Sequence, residues 1–162
     1  MRLNTTVTAI IAMALLASGG PVLGGADTYQ IDGSHSGVHF KVRHMLVTNV
    51  KGGFDTFEGT IMYDPDNIEN SSVEVTIQAN SINTRNEKRD DHLRSPDFLA
   101  AEEFPTITFR STSVKKKGDG FVAVGDLTIR DVTKEVVIPF GLAGPVTNPW
   151  GQEVIGIEEV GS

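Results

Sequence analysis

From Ser36 onward, apolar and polar residues alternate with a period of two over most of the chain. Ser36, Val38, Phe40 and Val42 fall on one side, against His39, Lys41 and Arg43. Val73, Val75, Ile77 and Ala79 alternate with Glu74, Thr76 and Gln78. Ile107 and Phe109 alternate with Thr106, Thr108 and Arg110, and Phe121, Ala123, Gly125, Leu127 and Ile129 with Asp126, Thr128 and Arg130. Val136, Ile138 and Phe140 close the series. Successive side chains of a strand point to opposite faces of a sheet, so each run predicts a half-buried antiparallel strand. Turns are predicted at Asp64-Pro65-Asp66-Asn67, Lys117-Gly118-Asp119-Gly120 and Arg130-Asp131-Val132-Thr133. Gly52, Gly53 and Gly59 stand in strand context, where they predict a bulge or a barrel corner. With no repeat and no linker, the expected fold is all-β: one meandering sheet closed into a barrel, because closure removes exposed edges.

One segment breaks the alternation and predicts a short helical insert over about residues 85–101. Thr84-x-x-Glu87 reads as a capping box that starts the helix at Arg85. Ser95-Pro96 reads as a second cap, so the helix is expected to break and restart there. Phe104-Pro105 ends the insert and returns the chain to a strand. Arg89, His92 and Leu93 are three and four apart and share the helical face that can look at the barrel. A barrel with one small helix beside its mouth is a plan for binding a greasy ligand.

The N-terminus reads as something separate. Arg2 precedes the apolar run Val7–Ala17, and Gly24-x-Ala26 offers small residues for a signal peptidase. The run is about half the ~20 residues a bilayer span requires. Residues 1–26 are therefore expected to be a signal peptide, with residues 27–162 as one exported, periplasmic domain. The chain carries 14 basic and 21 acidic residues. Losing Arg2 with the leader leaves 13 against 21, or −8. That charge argues against nucleic acid and against an electrostatic grip on anionic lipid, so membrane contact is expected to be transient at most. The chain has no cysteine.

Candidate chemistry is thin. His35 and His39 lie four apart on an extended segment, on the side opposite Val38 and Phe40, which places them in solvent. His44 continues the Phe40–Val42 side and is open between a hydrogen-bonded rim histidine and a ligand contact. No helical HxxxH, cysteine or matched carboxylate suggests a metal. Asp90, Asp91, His92 and Ser95 contain atoms for acid–base work, but on one capped helix they read as charged surface, with Glu87, Arg89 and Asp97 pairing among themselves. There is no nucleophile elbow, phosphate-cradling loop or dinucleotide fingerprint, so an enzyme is not expected.

Five linked blocks resemble the YceI-like family. They are Tyr29-x-Ile31-Asp32-x-x-His35-Ser36-x-Val38-x-Phe40-x-Val42-x-His44, Val50-x-Gly52-x-Phe54-x-x-Phe57-x-Gly59, and Arg89-Asp90-x-His92-Leu93-x-Ser95-x-Asp97-Phe98. Phe104-Pro105-x-Ile107-x-Phe109 and Gly125-Asp126-Leu127-Thr128-Ile129-x-x-Val132-Thr133-Lys134 follow in order. The resemblance implies a lipocalin-like antiparallel barrel holding a long polyisoprenoid. By motif position, Phe40, Val42, Leu93, Phe98, Phe109, Leu127 and Ile129 would line its tunnel. His44, Arg89 and His92 would sit near the mouth, within reach of a polar head group. Family members continue past the Trp150-Gly151 region through further strands. Here Gly156–Val160 resembles the start of one such strand, so the last strands are missing relative to the family and two open edges are expected.

The expected function is an exported carrier for a quinone-like or polyprenyl lipid, with that isoprenoid as the bound ligand and no other cofactor. A homodimer joined edge to edge is compatible with the open barrel. Two alternatives belong to other classes: a lipid head-group enzyme using His44 or His92 as general base, and a module that binds protein partners by strand addition.

Overall fold

The computed structural model describes residues 8–17, 25–44 and 48–160, with side chains described for 25–42 and 50–160. Its strands are β1 (Thr8–Ala17), β2 (Asp27–Ile31), β3 (Gly37–His44), β4 (Thr48–Phe54), β5 (Phe57–Tyr63) and β6 (Ser72–Gln78). They continue with β7 (Ile82–Asn83), β8 (Thr106–Lys117), β9 (Gly120–Ile129), β10 (Val132–Thr147) and β11 (Glu153–Glu159), and the single α-helix among the described residues is α1 (Glu87–Arg94). All neighbours pair antiparallel. The order β11-β10-β9-β8-β6-β5-β2-β1 closes on itself because β1 also pairs with β11. Residues 8–12 of β1 instead pair with β3, which carries β4 and β7 outward as a side sheet.

The predicted alternation is what fills this barrel. Val38, Val75, Ile77, Ile107, Phe109 and Ala123 are buried in one cluster, while His39, Lys41, Arg110 and Asp126 are exposed. Tyr29, Ile61 and Ile155 form a second buried cluster where the two ends of the chain meet. The alternation slips once. A bulge between Ser111 and Ser113 inserts a residue into β8, so Val114 turns inward although Phe109 was inward on the opposite parity. The predicted turns form as hairpins or loops. Arg130 and Gly118 take φ of 58° and 59° at the tight ones, and Asp64 Oδ1 accepts from the amides of Asp66 and Asn67.

Several local expectations are overturned. Gly52, Gly53 and Gly59 make no bulge; β3 with β4, and β5 with β6, pair in unbroken register there. These glycines make room instead. A Cβ at Gly52 would lie 2.5 Å from Phe40 Cζ and 2.8 Å from Thr84 Cγ2, and one at Gly59 would lie 2.5 Å from the Glu74 carbonyl. The helix is capped by Asn86, whose side chain accepts from the Arg89 amide, not by Thr84. Arg85 at φ 62° turns the chain away before the helix begins, which removes Thr84 from capping reach. Nor does the helix restart after Ser95-Pro96: residues 96–103 are turns, with Ala100 at φ 47°.

The expected open edges are also paired. β1 runs from Met13↔Ile157 to Ala17↔Glu153 along β11 and meets β2 at Leu15↔Ile31 and Leu16↔Gln30. These residues belong to the expected leader, of which 8–17 and 25–26 are described; the remainder lies outside the described residues. The pairing belongs to the full chain and does not bear on cleavage after Ala26.

Candidate ligand-binding site

The barrel encloses an apolar cavity of about 60 Å³. Ile61 and Tyr63 of β5, Val73 and Val75 of β6, and Phe109 and Val114 of β8 form one wall. Ala123 of β9, Ile138, Phe140 and Leu142 of β10, and Ile155, Ile157 and Glu159 of β11 form the other. The surface they expose is almost entirely carbon. A carboxyl group breaks it at the end of β11: burial pushes the Glu159 carboxyl above the ordinary carboxylate range. Its Oε2 is buried with no hydrogen-bond partner among the described residues. Where Tyr29 fills the core beside Ile155, burial first and the hydrogen bond to Glu153 second raise its phenol above the ordinary value of 10.0.

Among the described residues, Phe109 is the one motif-derived residue that lines this cavity. Leu127 and Ile129 are half-buried against the same core, farther along β9. Phe40 packs on Phe54 at 5.7 Å between ring centres, and Val42 is half-buried one step on. His44 ends β3 opposite Thr48, and its side chain lies outside the described residues. The helical residues gather elsewhere. His92 meets Phe98 edge-on at 4.8 Å and lies 3.6 Å from Asp97, while Phe98 is 47% exposed. Leu93 is half-buried. Arg89 pairs with neither Glu87 nor Asp97; its guanidinium donates to Thr84 Oγ1 at 2.7 Å and to the Thr84 carbonyl at 2.9 Å.

The cavity runs from Phe109, level with Leu127 of β9, to Glu159, level with Phe121, and its Glu159 end lies away from the helix. Arg130 donates to the Phe98 and Pro96 carbonyls and lies over the Phe104 ring, which fixes the helix end at the β9–β10 turn. Ala123 lies seven residues back along β9, about 23 Å at strand rise. An open hollow of about 640 Å³ beside α1 is lined by Asp91, Arg94, Glu102 and Glu103, among others. Its charged rim suits water rather than hydrocarbon. No group of three or more His, Asp or Glu among the described residues is placed to hold a metal.

Three residues escaped the sequence reading. Thr84 is a hub: its amide and hydroxyl donate to the buried Asp90 carboxylate at 2.9 and 2.5 Å while its hydroxyl accepts from Arg89. Arg130 looked like a turn residue, and its reach back to Phe98 spans 32 residues. Glu159 carried a legible signal, because it continues the Ile155–Ile157 alternation onto an apolar row.

A nearly closed antiparallel barrel with one short α-helix and a hydrocarbon-lined interior defines a lipocalin-like fold. The YceI-like domain matches residues 29–159, and the chain belongs to that family. It is 36% identical to a UPF0312 protein of Pectobacterium atrosepticum over 160 residues, covering 99% of this chain and 83% of the relative. A UPF0312 protein of Yersinia pestis is also 36% identical, over 162 residues with the same coverage. Among solved structures, the Campylobacter jejuni YceI protein superposes with a TM-score of 0.64 at 32% identity, covering 88% of this chain and 79% of that one. Burkholderia cenocepacia BcnA superposes at 0.66 with 21% identity, covering 79% and 96%, and so shares the fold.

Proposed function

We propose that this protein binds the chain of a polyisoprenoid lipid inside its barrel and acts as an exported, periplasmic carrier or buffer for it. The observation that carries this reading is the interior cavity, walled by six strands with aliphatic and aromatic side chains. Family membership supports the same ligand class. At about 60 Å³ the cavity seats only a fragment of such a chain, since pockets for small molecules usually hold ~300–1,000 Å³. Loading a long lipid therefore requires the walls to part.

Burial of the chain is worth ~0.8 kcal/mol per CH₂ relative to water. A bilayer offers nearly the same, so selectivity must come from shape and from the few polar groups near the ligand. The motif-derived residues Phe40, Val42, Leu127 and Ile129 extend the apolar path from Phe109 toward the helix, where Leu93, Phe98, Arg89 and His92 gather. His44 completes the proposed set. The test is extraction of lipid from protein purified out of its own host, followed by mass spectrometry. A co-purifying isoprenoid at near-stoichiometric amount is expected, and its absence would overturn the reading.

A further inference from the structure

We propose that Glu159 anchors the head group in this cavity, accepting a hydrogen bond from the hydroxyl of an isoprenoid alcohol. The inference rests on the polyisoprenoid reading above and adds to it the end at which the head group sits and its chemical class. Glu159 pairs with Phe140 in the β10–β11 ladder, and Phe140 pairs with Phe121 of β9. Residues opposite each other in a ladder share a face. Phe121 and Phe140 stack at 5.6 Å between ring centres. An unpartnered carboxyl oxygen thus stands at the end of an apolar wall, next to a pair of aromatic rings. Nothing among the described residues offers that oxygen a hydrogen bond, and a buried acceptor left unmet is costly unless a ligand supplies the donor.

The chemistry of the wall selects the head group. A hydroxyl both donates and accepts, so it satisfies Glu159 whether the carboxyl is ionised or protonated. A phosphate or pyrophosphate would bring a second negative charge against the carboxylate in an apolar surround. Among the described residues no Lys, Arg or His lines the cavity to offset it. The nearest basic residue in the same row is Lys116, which pairs with Phe121 and is exposed. It stands three strand spacings from Glu159, about 14 Å of backbone. The anchor therefore lies at the end of the barrel away from α1, and His92 and Arg89 have no part in it.

The test uses the full chain and three radiolabelled probes in detergent: a polyprenol, its monophosphate, and the hydrocarbon squalene. Wild type is expected to retain the alcohol roughly tenfold or more over the monophosphate. Glu159→Leu should lower alcohol retention roughly tenfold or more, the effect of losing a hydrogen bond to a charged acceptor. It should leave squalene unchanged and keep or raise the melting temperature, since an unmet buried acceptor is gone. Glu159→Gln keeps an acceptor and should retain the alcohol while admitting the monophosphate. Unchanged alcohol retention in Glu159→Leu, or equal retention of monophosphate by wild type, overturns the anchor. If Glu159→Leu does not fold, unchanged discrimination in Glu159→Gln overturns it equally. Retention of squalene and alcohol alike by all variants would sink the anchor alone, whereas retention of no probe by wild type would sink the polyisoprenoid reading with it.

Discussion

The phenol of Tyr29 donates a hydrogen bond to Glu153 Oε1 at 2.5 Å, joining residues 124 positions apart. Tyr29 lies on β2 and Glu153 on β11, and β1 pairs with both strands between them. The bond therefore ties β2 to β11 across the seam that closes the barrel. Tyr29 is 1% exposed, and Ile61 and Ile155 pack around it.

Tyr29→Phe is expected to lower stability by about 1–3 kcal/mol, because the Glu153 carboxylate loses its partner while the ring stays packed. A shift of the denaturation midpoint at unchanged slope would show this. The phenol also sets an alkaline limit. Its folded pKa lies above its ordinary value of 10.0, owing first to burial and then to Glu153. The folded state then holds the proton that the unfolded state gives up. Stability from this group is complete below pH 10 and falls as pH rises beyond it. Tyr29→Phe should flatten that part of the stability profile, and an unchanged profile would mean that another group sets it.

Removing residues 1–26 should open the seam. Without β1, the edge of β11 from Glu153 to Ile157 loses its partner, and so does β3 from Gly37 to Lys41. Unpaired edges recruit other strands. Residues 27–162 are expected to melt below the full chain and to self-associate with rising concentration, read by sedimentation. A monomer of equal melting temperature would show that β1 contributes nothing to closure.

Arg130 holds the segment after the helix by donating to the Phe98 carbonyl at 3.0 Å and stacking on Phe104 at 5.6 Å. Arg130→Ala should cost about 1–3 kcal/mol and raise amide exchange over residues 96–104. Arg130→Lys should rescue little, because an ammonium lacks the planar face that lies over the Phe104 ring. Full rescue by lysine would reduce the role of Arg130 to charge.

Gly52 and Phe40 should behave as a coupled pair. Gly52→Ala places a methyl 2.5 Å from Phe40 Cζ, and overpacking of this kind costs about 1–3 kcal/mol. Phe40 is half-buried, so Phe40→Ala should cost less than the ~3–5 kcal/mol of a fully buried ring. In the double variant the two costs should fall short of their sum, because the contact with Phe40 disappears with the ring and only the 2.8 Å approach to Thr84 Cγ2 remains. Additive costs would mean that the Thr84 contact, not the Phe40 ring, sets the cost of the Gly52 methyl.

The strand alternation was legible because burial of one sheet face writes itself into every second residue. The chain alone therefore puts Val75, Ile77, Ile107 and Phe109 on one face and His39 and Lys41 on the other. The slip at Ser111–Ser113 was not legible, since an inserted residue leaves no composition signal and shows only when Val114 must reach the core. The helix was found but misplaced. Thr84-x-x-Glu87 satisfies a capping pattern, yet Asp90 competes for the Thr84 hydroxyl and Asn86 stands one residue before the helix. A pattern of types cannot say which of two acceptors lies closer.

The sequence by itself determined the all-β class, the interrupted sheet with its one small helix, and membership of a family of barrels. Each of these is recorded in local periodicity or in short blocks of residues at set spacing. Tertiary packing alone sets that residues 13–17 pair with β11, that the cavity ends at Glu159 on the side away from α1, and that Glu159 Oε2 is buried there with no hydrogen-bond partner among the described residues. Those facts depend on which distant strands become neighbours and on where side-chain volumes fail to fill the space between them. Both are sums over the whole barrel, and no window of sequence contains them.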